Sequence, residues 1–240
     1  QRTTRLLKKQ IEQNKFDSFA WFNLVRNYRT QDLFYDGINA GEKALAIITP
    51  DPCSKPTGTS VNLHHYAMIM YETANCYLHN EDFAKAKELC HTALSRLEEL
   101  GITPENIDII FTLACIYLKE GCYRKAINYF NRFLSLREWY LENMHTNPLM
   151  IDTLGYDYAA YHGMGYCYGN LGQWETAISH LQKAISYNPK YLTAYKNLVS
   201  CYANVNNRVE ATETLLRTVS EGIADDDVIL KLGELYIQQE

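Results

Sequence analysis

Cysteine and histidine are the residues of this chain best suited to metal binding or to nucleophilic and acid–base chemistry, and the 240-residue sequence has seven of each. It contains no Cys-x-x-Cys pair, the usual spacing of zinc and redox sites. His64 and His65 are adjacent, whereas the other histidines are scattered. A glycine-rich phosphate loop, a His-Glu-x-x-His helix and a Gly-x-Ser-x-Gly turn are also missing from the sequence. We therefore expect that this chain is not an enzyme and needs no cofactor or metal.

The three consecutive aspartates at residues 225–227 are the one acidic run that could suggest a cation site. Acidic residues at a helix start are also favoured, because they cap free N–H groups and interact well with the helix dipole. We predict that this run caps a helix over residues 226–240.

The composition of the chain indicates which classes of partner it could bind and in which cellular compartment it is found. Apolar residues make up 47% and charged residues 21%, as in ordinary folded proteins. The net charge of −5 gives no bulk positive field for nucleic acid or an anionic membrane. No apolar run approaches the roughly 20 residues of a membrane span, and residues 1–5 lack the apolar segment of a signal peptide. Several unpaired thiols suit a reducing compartment, so we expect a cytoplasmic protein without a nucleic-acid partner or membrane insertion.

Residues 158–191 carry a set of residues at fixed offsets: Tyr161, Met164, Gly165, Tyr168, Trp174, Ala177, Leu181, Ala184 and Pro189. These offsets match the roughly 34-residue tetratricopeptide repeat (TPR) pattern, and the segment resembles a complete TPR repeat. Other segments carry parts of the same pattern. We predict repeats at about 18–51, 67–100, 107–140, 158–191 and 192–225.

The remaining segments are assigned around these repeats. Residues 1–17 are predicted to hold a leading amphipathic helix, and residues 226–240 a capping helix. Residues 52–66 and 141–157 are irregular insertions, the first overlapping a proline-rich loop at 49–60. We expect the second helix of the third repeat to be lengthened and the first helix of the fourth to begin near Leu149. The first residue is glutamine, in keeping with a piece cut from a longer protein.

Small residues recur where the two helices of a repeat must approach closely, as at Gly165 and Ala74, while tyrosines fill the space between repeats. Gly37 and Gly41 lie inside a predicted helix, where glycine costs about 0.5–1 kcal/mol relative to alanine. That helix is therefore predicted to be either the weakest of the set or unusually close-packed. Three cysteines, Cys76, Cys167 and Cys201, fall at the tenth residue of a repeat and Cys115 falls at the ninth. Because they are spread along successive first helices, we interpret them as small buried hydrophobes.

The resemblance to TPR proteins covers roughly residues 18–240. It implies an all-α, right-handed superhelical solenoid of stacked antiparallel helix pairs, here a single array over residues 1–240. In this family the second, fifth, ninth and twelfth residues of each repeat tend to face a concave groove that binds peptides or proteins. The predicted groove residues are Phe22, Arg26, Tyr71, Asn75, Phe111, His162, Tyr166 and Lys196.

Two interpretations of these positions stay open. Rings offer large contact area at low entropic cost and suit a peptide or an apolar helix. Alternatively, neighbouring repeats cover the same rings as ordinary core. A chaperone-type carboxylate clamp is disfavoured, because Lys196 and Asn197 have the right offsets but earlier repeats place His162 and Phe111 where lysine is needed.

The function predicted from the sequence is a non-catalytic scaffold that binds a protein or peptide. The alternative rests on residues 2–28, which resemble the junction where bacterial family 2 glycosyltransferases pass from the catalytic domain into C-terminal TPR repeats. That resemblance implies an accessory module of a larger enzyme, one that positions a polypeptide acceptor or mediates dimerisation. A homodimer is therefore also possible.

Overall fold

The structure, a computed structural model, describes residues 2–48, 63–99, 106–143 and 152–237. Over these residues it is entirely helical, without a strand, which confirms the predicted all-α class. The predicted loop at 49–60 and most of the two insertions lie outside the described residues. The helices are α1 (Arg2–Gln13), α2 (Ser18–Arg29), α3 (Phe34–Ile48), α4 (Leu63–His79), α5 (Phe83–Glu99), α6 (Ile107–Lys119), α7 (Tyr123–Glu142), α8 (Asp157–Asn170), α9 (Trp174–Tyr187), α10 (Leu192–Asn204), α11 (Arg208–Ser220) and α12 (Asp226–Ile237).

The chain divides into two compact units, residues 1–116 and 117–240. In the first, α2 packs against α3, both pack against α4, and α5 covers α4. In the second, α7 packs on α8, and each helix from α8 to α12 packs against the next. The consecutive helices named here are therefore neighbours in space, as expected for stacked helical hairpins. None of the described helices has the length and apolar character that a bilayer crossing requires.

The two helices of each hairpin are joined by the same backbone device. The fifteenth residue of every predicted repeat has positive φ: it is glycine at Gly121 and Gly172, with φ of 72° and 73°, and Asp32, Glu81 or Asn206 elsewhere. The residue after it donates its N–H to a tyrosine carbonyl on the first helix, in a Schellman-type closure. Its own carbonyl accepts the N–H four residues later, so one residue ends the first helix and starts the second.

Two of the tyrosines at the ends of the first helices, Tyr77 and Tyr202, also bind the preceding hairpin through their hydroxyls. Tyr77 donates to Glu42, and Gln182 donates to Tyr202 at 3.0 Å. Burial and the Glu42 carboxylate raise the pKa of Tyr77. Each ring therefore fills the space between hairpins while its polar end is satisfied, as a buried tyrosine requires.

The glycines of α3 are sites of close packing. A Cβ on Gly37 would lie 2.6 Å from the Cys76 sulfur, and one on Gly41 would clash with the Thr73 side chain. Of the two alternatives predicted for this helix, close packing is the one observed. Cys76 itself is buried, and burial raises the pKa of its thiol to about 12. Cys167 and Cys201 are likewise free and buried, which confirms the interpretation of these cysteines as small hydrophobes.

The prediction that α7 is lengthened is confirmed, because it runs for 20 residues. The prediction that the next helix begins near Leu149 is wrong, since residues 152–155 form bends and turns and α8 begins at Asp157. Arg137, in the added length of α7, explains the late start. Its Nε lies 2.7 Å from the Asp157 carboxylate and 3.2 Å from the Leu154 carbonyl oxygen, holding the turn against α7.

Candidate functional site

Two of the predicted groove rings lie in the core of the first compact unit. Phe22 is 6% exposed and Tyr71 is 3% exposed. The Phe22 ring stacks on His65, with ring centroids 6.4 Å apart and an interplanar angle of 4°. These two rings therefore have no surface to offer a partner, and for them the core interpretation describes what is observed.

Arg26 belongs to an ion network that joins α2 to α4. Its Nε lies 3.8 Å from a carboxylate oxygen of Glu72, a residue with no exposed surface. Arg29 Nε also pairs with this carboxylate, and Arg29 Nη2 lies 3.4 Å from its other oxygen. The positive charge predicted for a groove is thus engaged with a buried carboxylate.

Asn75 and Phe111, the remaining predicted residues of the first unit, are both half-buried. The Asn75 amide donates to the Tyr71 carbonyl at 3.0 Å and accepts from the Thr112 hydroxyl at 3.5 Å. In the first compact unit the predicted positions are therefore used mainly for internal contacts.

Ser18 and His65 are the pair in this unit that could suggest a nucleophile and base, with 3.1 Å between Ser18 Oγ and His65 Nδ1. Ser18 is buried at the start of α2, and burial lowers the pKa of His65. No group of three potential metal ligands occurs among the described residues. This pair therefore links α2 to α4 as a core contact.

His162, on α8, connects three elements of the second compact unit. Its Nε2 accepts a hydrogen bond from the Asn197 amide at 2.8 Å, and its Nδ1 lies 3.3 Å from the Tyr191 hydroxyl. Since Nε2 accepts, we assign the proton of the neutral ring to Nδ1, which donates to Tyr191. Burial lowers the pKa of His162 to about 4, so the ring is neutral at physiological pH.

The lowered pKa of His162 makes stability depend on pH. In the unfolded chain a histidine has a pKa of about 6.5, so between that value and about 4 the unfolded state binds more protons. The contribution of His162 to the free energy of unfolding is therefore fully present above pH 6.5 and is lost as pH falls toward 4. Between pH 7 and 5 this loss is about 2 kcal/mol. Urea unfolding across this range, compared with His162→Gln, measures it. An equally steep fall in the variant would contradict the assignment, because His65, His91 and His180 would then account for all of it.

Lys196, on α10, is held by the start of the last helix. Its Nζ lies 2.7 Å from Asp225 and 2.8 Å from Asp227. The other Asp225 oxygen accepts the backbone N–H of Val228 at 3.1 Å, which confirms the predicted capping role of the aspartates. Lys196 therefore neutralises this helix start, and its charge is already partnered.

Tyr166 is the predicted groove residue with the most accessible ring, 41% exposed on α8. Tyr123 meets it edge to face, with ring centroids 6.4 Å apart. The Tyr123 hydroxyl also donates to Asn170 Oδ1 at 3.2 Å, and the Asn170 amide donates to the Tyr166 carbonyl at 2.9 Å. Tyr123 therefore contacts both the exposed ring and the side chain of Asn170, which in turn binds the Tyr166 backbone.

The neighbouring helix α10 repeats part of this arrangement. The Asn204 amide donates to the Ser200 carbonyl at 2.8 Å, and both side chains are exposed. Asn204 has no other side-chain partner among the described residues, so one N–H and its carbonyl oxygen are free for a ligand. Asn170 and Asn204 were not predicted as site residues. Their signal in the sequence is that both are the thirteenth residue of a repeat.

Tyr166, Asn170, Ser200 and Asn204 together form what we call the α8–α10 face. It presents one aromatic ring and several amide and hydroxyl groups, without a free charge of its own. Such groups can bind a polypeptide through apolar contact and main-chain hydrogen bonds. They do not supply the positioned acid, base or nucleophile that covalent catalysis needs.

Family models describing the tetratricopeptide repeat match residues 158–191 and 107–138. These two segments, which together make up less than half of the chain, therefore match the tetratricopeptide repeat predicted for them. The match at 158–191 includes α8 except its first residue, Asp157, and all of α9. Tyr166 and Asn170 therefore lie within a matched repeat.

Several solved structures share this fold, and one curated relative is similar in sequence. The crystal structure of YrrB, described as a TPR protein with an unusual peptide-binding site, is 22% identical, covers 95% of this chain and 97% of its own, and gives a TM-score of 0.60. The APC/C hetero-tetramer Cut9-Hcn1 is 12% identical with a TM-score of 0.70, covering 97% of this chain and 38% of that chain. The ycf37 protein of Guillardia theta is 27% identical over 129 residues, 52% of this chain and 66% of the relative. At these identities the likeness concerns the fold alone.

Proposed function

We propose that this chain is a non-catalytic scaffold that binds an extended segment of a partner protein along the α8–α10 face. The observation that carries the proposal is the Tyr166 ring, which is 41% exposed and packs edge to face against Tyr123. An exposed, pre-positioned ring loses little entropy on binding, and tyrosine is enriched among the residues that dominate binding energy.

The polar groups of the face indicate how the partner would be held. Asn204 offers a free N–H and a carbonyl oxygen, the complement of a peptide backbone unit. Asn170 occupies the equivalent position of the preceding hairpin, so an extended chain crossing both helices meets an amide at each. The contact is thus backbone-directed, with Tyr166 receiving one apolar side chain.

Charge bears on which part of the partner binds. Lys196 is already paired with Asp225 and Asp227, which argues against capture of a terminal carboxylate at this position. An internal, largely uncharged segment suits the face better. The peptide-binding site named for YrrB adds support from a protein of the same fold.

Replacing Tyr166 with alanine is expected to weaken peptide binding about tenfold, because a central aromatic anchor contributes on the order of 1–2 kcal/mol. Short random peptides displayed on phage would be selected on the intact chain, and the affinity of a selected peptide measured by calorimetry. Asn204→Ala should weaken binding to a smaller extent.

Tyr35→Ala is the matched control, because Tyr35 is a 72% exposed tyrosine on α3 in the other compact unit. Unchanged affinity in Tyr166→Ala, or an equal loss in Tyr35→Ala, would refute the α8–α10 face as the binding site. Circular dichroism of both variants shows that each remains folded.

The accessory module of a family 2 glycosyltransferase remains a separate prediction, as does a homodimer. The first rests on residues 2–28, which lie outside both segments matched by the repeat models. An Asp-x-Asp sugar-nucleotide site encoded upstream of Gln1 in the full reading frame would support it.

A further inference from the structure

We propose a second binding surface, independent of the α8–α10 face: the groove between α1 and α3 binds an acidic, partly apolar peptide segment of a partner protein. The groove lies within the first compact unit, over the end of α2. Its chemistry differs from that of the α8–α10 face, which carries no free charge.

The groove is a cavity of about 960 Å³. One wall is α1, the floor is Tyr28 near the end of α2, and the other wall is the turn into α3 with Leu33 and Asp36. It continues along the same two helices into a second cavity of about 520 Å³ that shares Lys8, Glu12, Tyr28 and Asp36. This elongated space is of the size that holds a peptide and far larger than a single inorganic anion needs.

Positive charge is concentrated on the α1 wall. Arg2, Arg5, Lys8 and Lys9 line the cavity against the carboxylates of Glu12 and Asp36, a net charge of +2 from four cations and two anions. The whole chain has a net charge of −5, so this groove is opposite in sign to the rest of the molecule.

The basic groups of α1 are largely uncompensated. Lys8 lies over the Tyr28 ring, 5.6 Å from its centroid. Arg2, Arg5 and Lys9 make no ion pair with the residues that the structure describes. Because they lie three and four residues apart on one helix, they repel one another at a cost of a few tenths of a kcal/mol per pair. An acidic ligand would supply the missing countercharge.

The equivalent groove in the second compact unit shows that the charge is not a general property of this fold. Between α9 and α11 the corresponding cavity is about 280 Å³, and its charged residues are Glu210, Glu213 and Arg217. Tyr202 forms the floor there, at the position that Tyr28 occupies in the α1–α3 groove. The α9–α11 groove thus carries a net charge of −1, whereas the α1–α3 groove carries a net charge of +2.

The rims of the α1–α3 groove favour a peptide over other anions. Leu6 and Leu33 line it and are 59% and 44% exposed, so a ligand with apolar side chains would cover them. Glu12 on the basic α1 wall and Asp36 on the opposite wall would repel a uniformly charged polyanion such as nucleic acid. A peptide whose carboxylates alternate with apolar side chains would match both the exposed leucines and the mixed charge of this groove.

The test uses a fluorescein-labelled short peptide that alternates glutamate pairs with leucine pairs, and a second peptide with glutamine in place of glutamate. Fluorescence anisotropy with the full chain should show binding of the acidic peptide that weakens as salt is raised. Arg5→Glu/Lys9→Glu should reduce that affinity about tenfold or more, since two attractive charges become repulsive. Arg5→Gln/Lys9→Gln should give a smaller reduction.

Arg124→Glu/Lys231→Glu is the matched control, because it makes the same change in net charge on exposed residues of the second compact unit. Unaltered affinity in this control, with folded variants by circular dichroism, supports the groove. Three results would overturn it: no binding of the acidic peptide, equal binding of the glutamine peptide, or equal losses in both charge-reversed variants. Displacement of the peptide by phosphatidylserine vesicles or an oligonucleotide, but not by unlabelled acidic peptide, would also overturn it.

Discussion

Replacing Gly165 with leucine is expected to lower the free energy of unfolding by about 3 kcal/mol or more. A Cβ at this position would lie 2.6 Å from Leu181 Cγ and 3.2 Å from the Ala177 carbonyl oxygen. The first obstacle is a fully buried side chain and the second is backbone, so neither can move aside cheaply. Urea unfolding monitored by circular dichroism measures the change.

Gly165→Ala and Gly233→Ala form a matched pair that separates packing from helix propensity. Gly233 is the eighth residue counted from 226, as Gly165 is counted from the repeat start at 158, but a Cβ at Gly233 meets no described atom within 4 Å. Alanine should therefore destabilise at Gly165, whereas at Gly233 it should stabilise by about 0.5–1 kcal/mol, the difference in helix propensity. A Gly165→Leu variant with an unchanged unfolding midpoint would show that α8 and α9 are not in close contact.

Removing the Arg29 charge is expected to cost about 3 kcal/mol, because it disturbs a buried ion network. Glu72 has no exposed surface, and Arg29 binds both of its oxygens, whereas Arg26 is 3.8 Å away. In Arg29→Met the Glu72 carboxylate would keep its desolvation cost and lose its shortest charge contact. The unfolding free energy of this variant at neutral pH measures the effect.

A double substitution tests the cause. Arg29→Met/Glu72→Leu removes both charges and should recover much of the loss, since well-packed apolar pairs often replace buried ion pairs at little cost. Arg96→Met provides the control, because Arg96 and Glu99 form a 2.8 Å pair that is 46% and 60% exposed. Exposed pairs contribute about 0–1 kcal/mol. A loss in Arg96→Met as large as that in Arg29→Met would refute the importance of burial.

These two sites and the two proposed binding surfaces involve different residues. Gly165 and the Glu72 network lie in the packing between helices, whereas Tyr166 and the Arg5–Lys9 pair are on the surface. Stability and binding variants should therefore be separable. A binding loss caused by unfolding would appear in the unfolding midpoint as well as in the affinity.

The repeat pattern identified the hairpins because the packing of two helices repeats in the sequence. Small residues such as Gly165 must recur where helices touch, and tyrosines such as Tyr202 must recur where hairpins stack. The turn between the two helices can also be recognised in the sequence at Gly121 and Gly172, because its positive φ favours glycine. At Asp32 and Glu81 the same backbone forms without glycine, so that part of the pattern was hidden.

Repeat position alone does not determine which of the predicted groove residues is exposed. From their positions in the repeat, both Phe22 and Tyr166 were predicted to face the groove. In the structure Phe22 is buried against His65, whereas Tyr166 is 41% exposed. Which ring is covered depends on residues from another helix, and the spacing within one repeat carries no information about them. The same holds for Arg137, whose contact with Asp157 sets the start of α8.

The sequence by itself determined the helical class, the repeat spacing, the buried role of most cysteines and the capping aspartates, because each follows from local backbone preference or from periodic packing. Only the tertiary structure decided which candidate residues remain accessible. In the folded protein Lys196 forms an ion pair with Asp225, and His162 takes part in an internal hydrogen-bond network. Arg5 and Lys9, by contrast, line an open groove. Exposure and charge pairing are properties of residues distant in the chain, and they are settled when the helices pack.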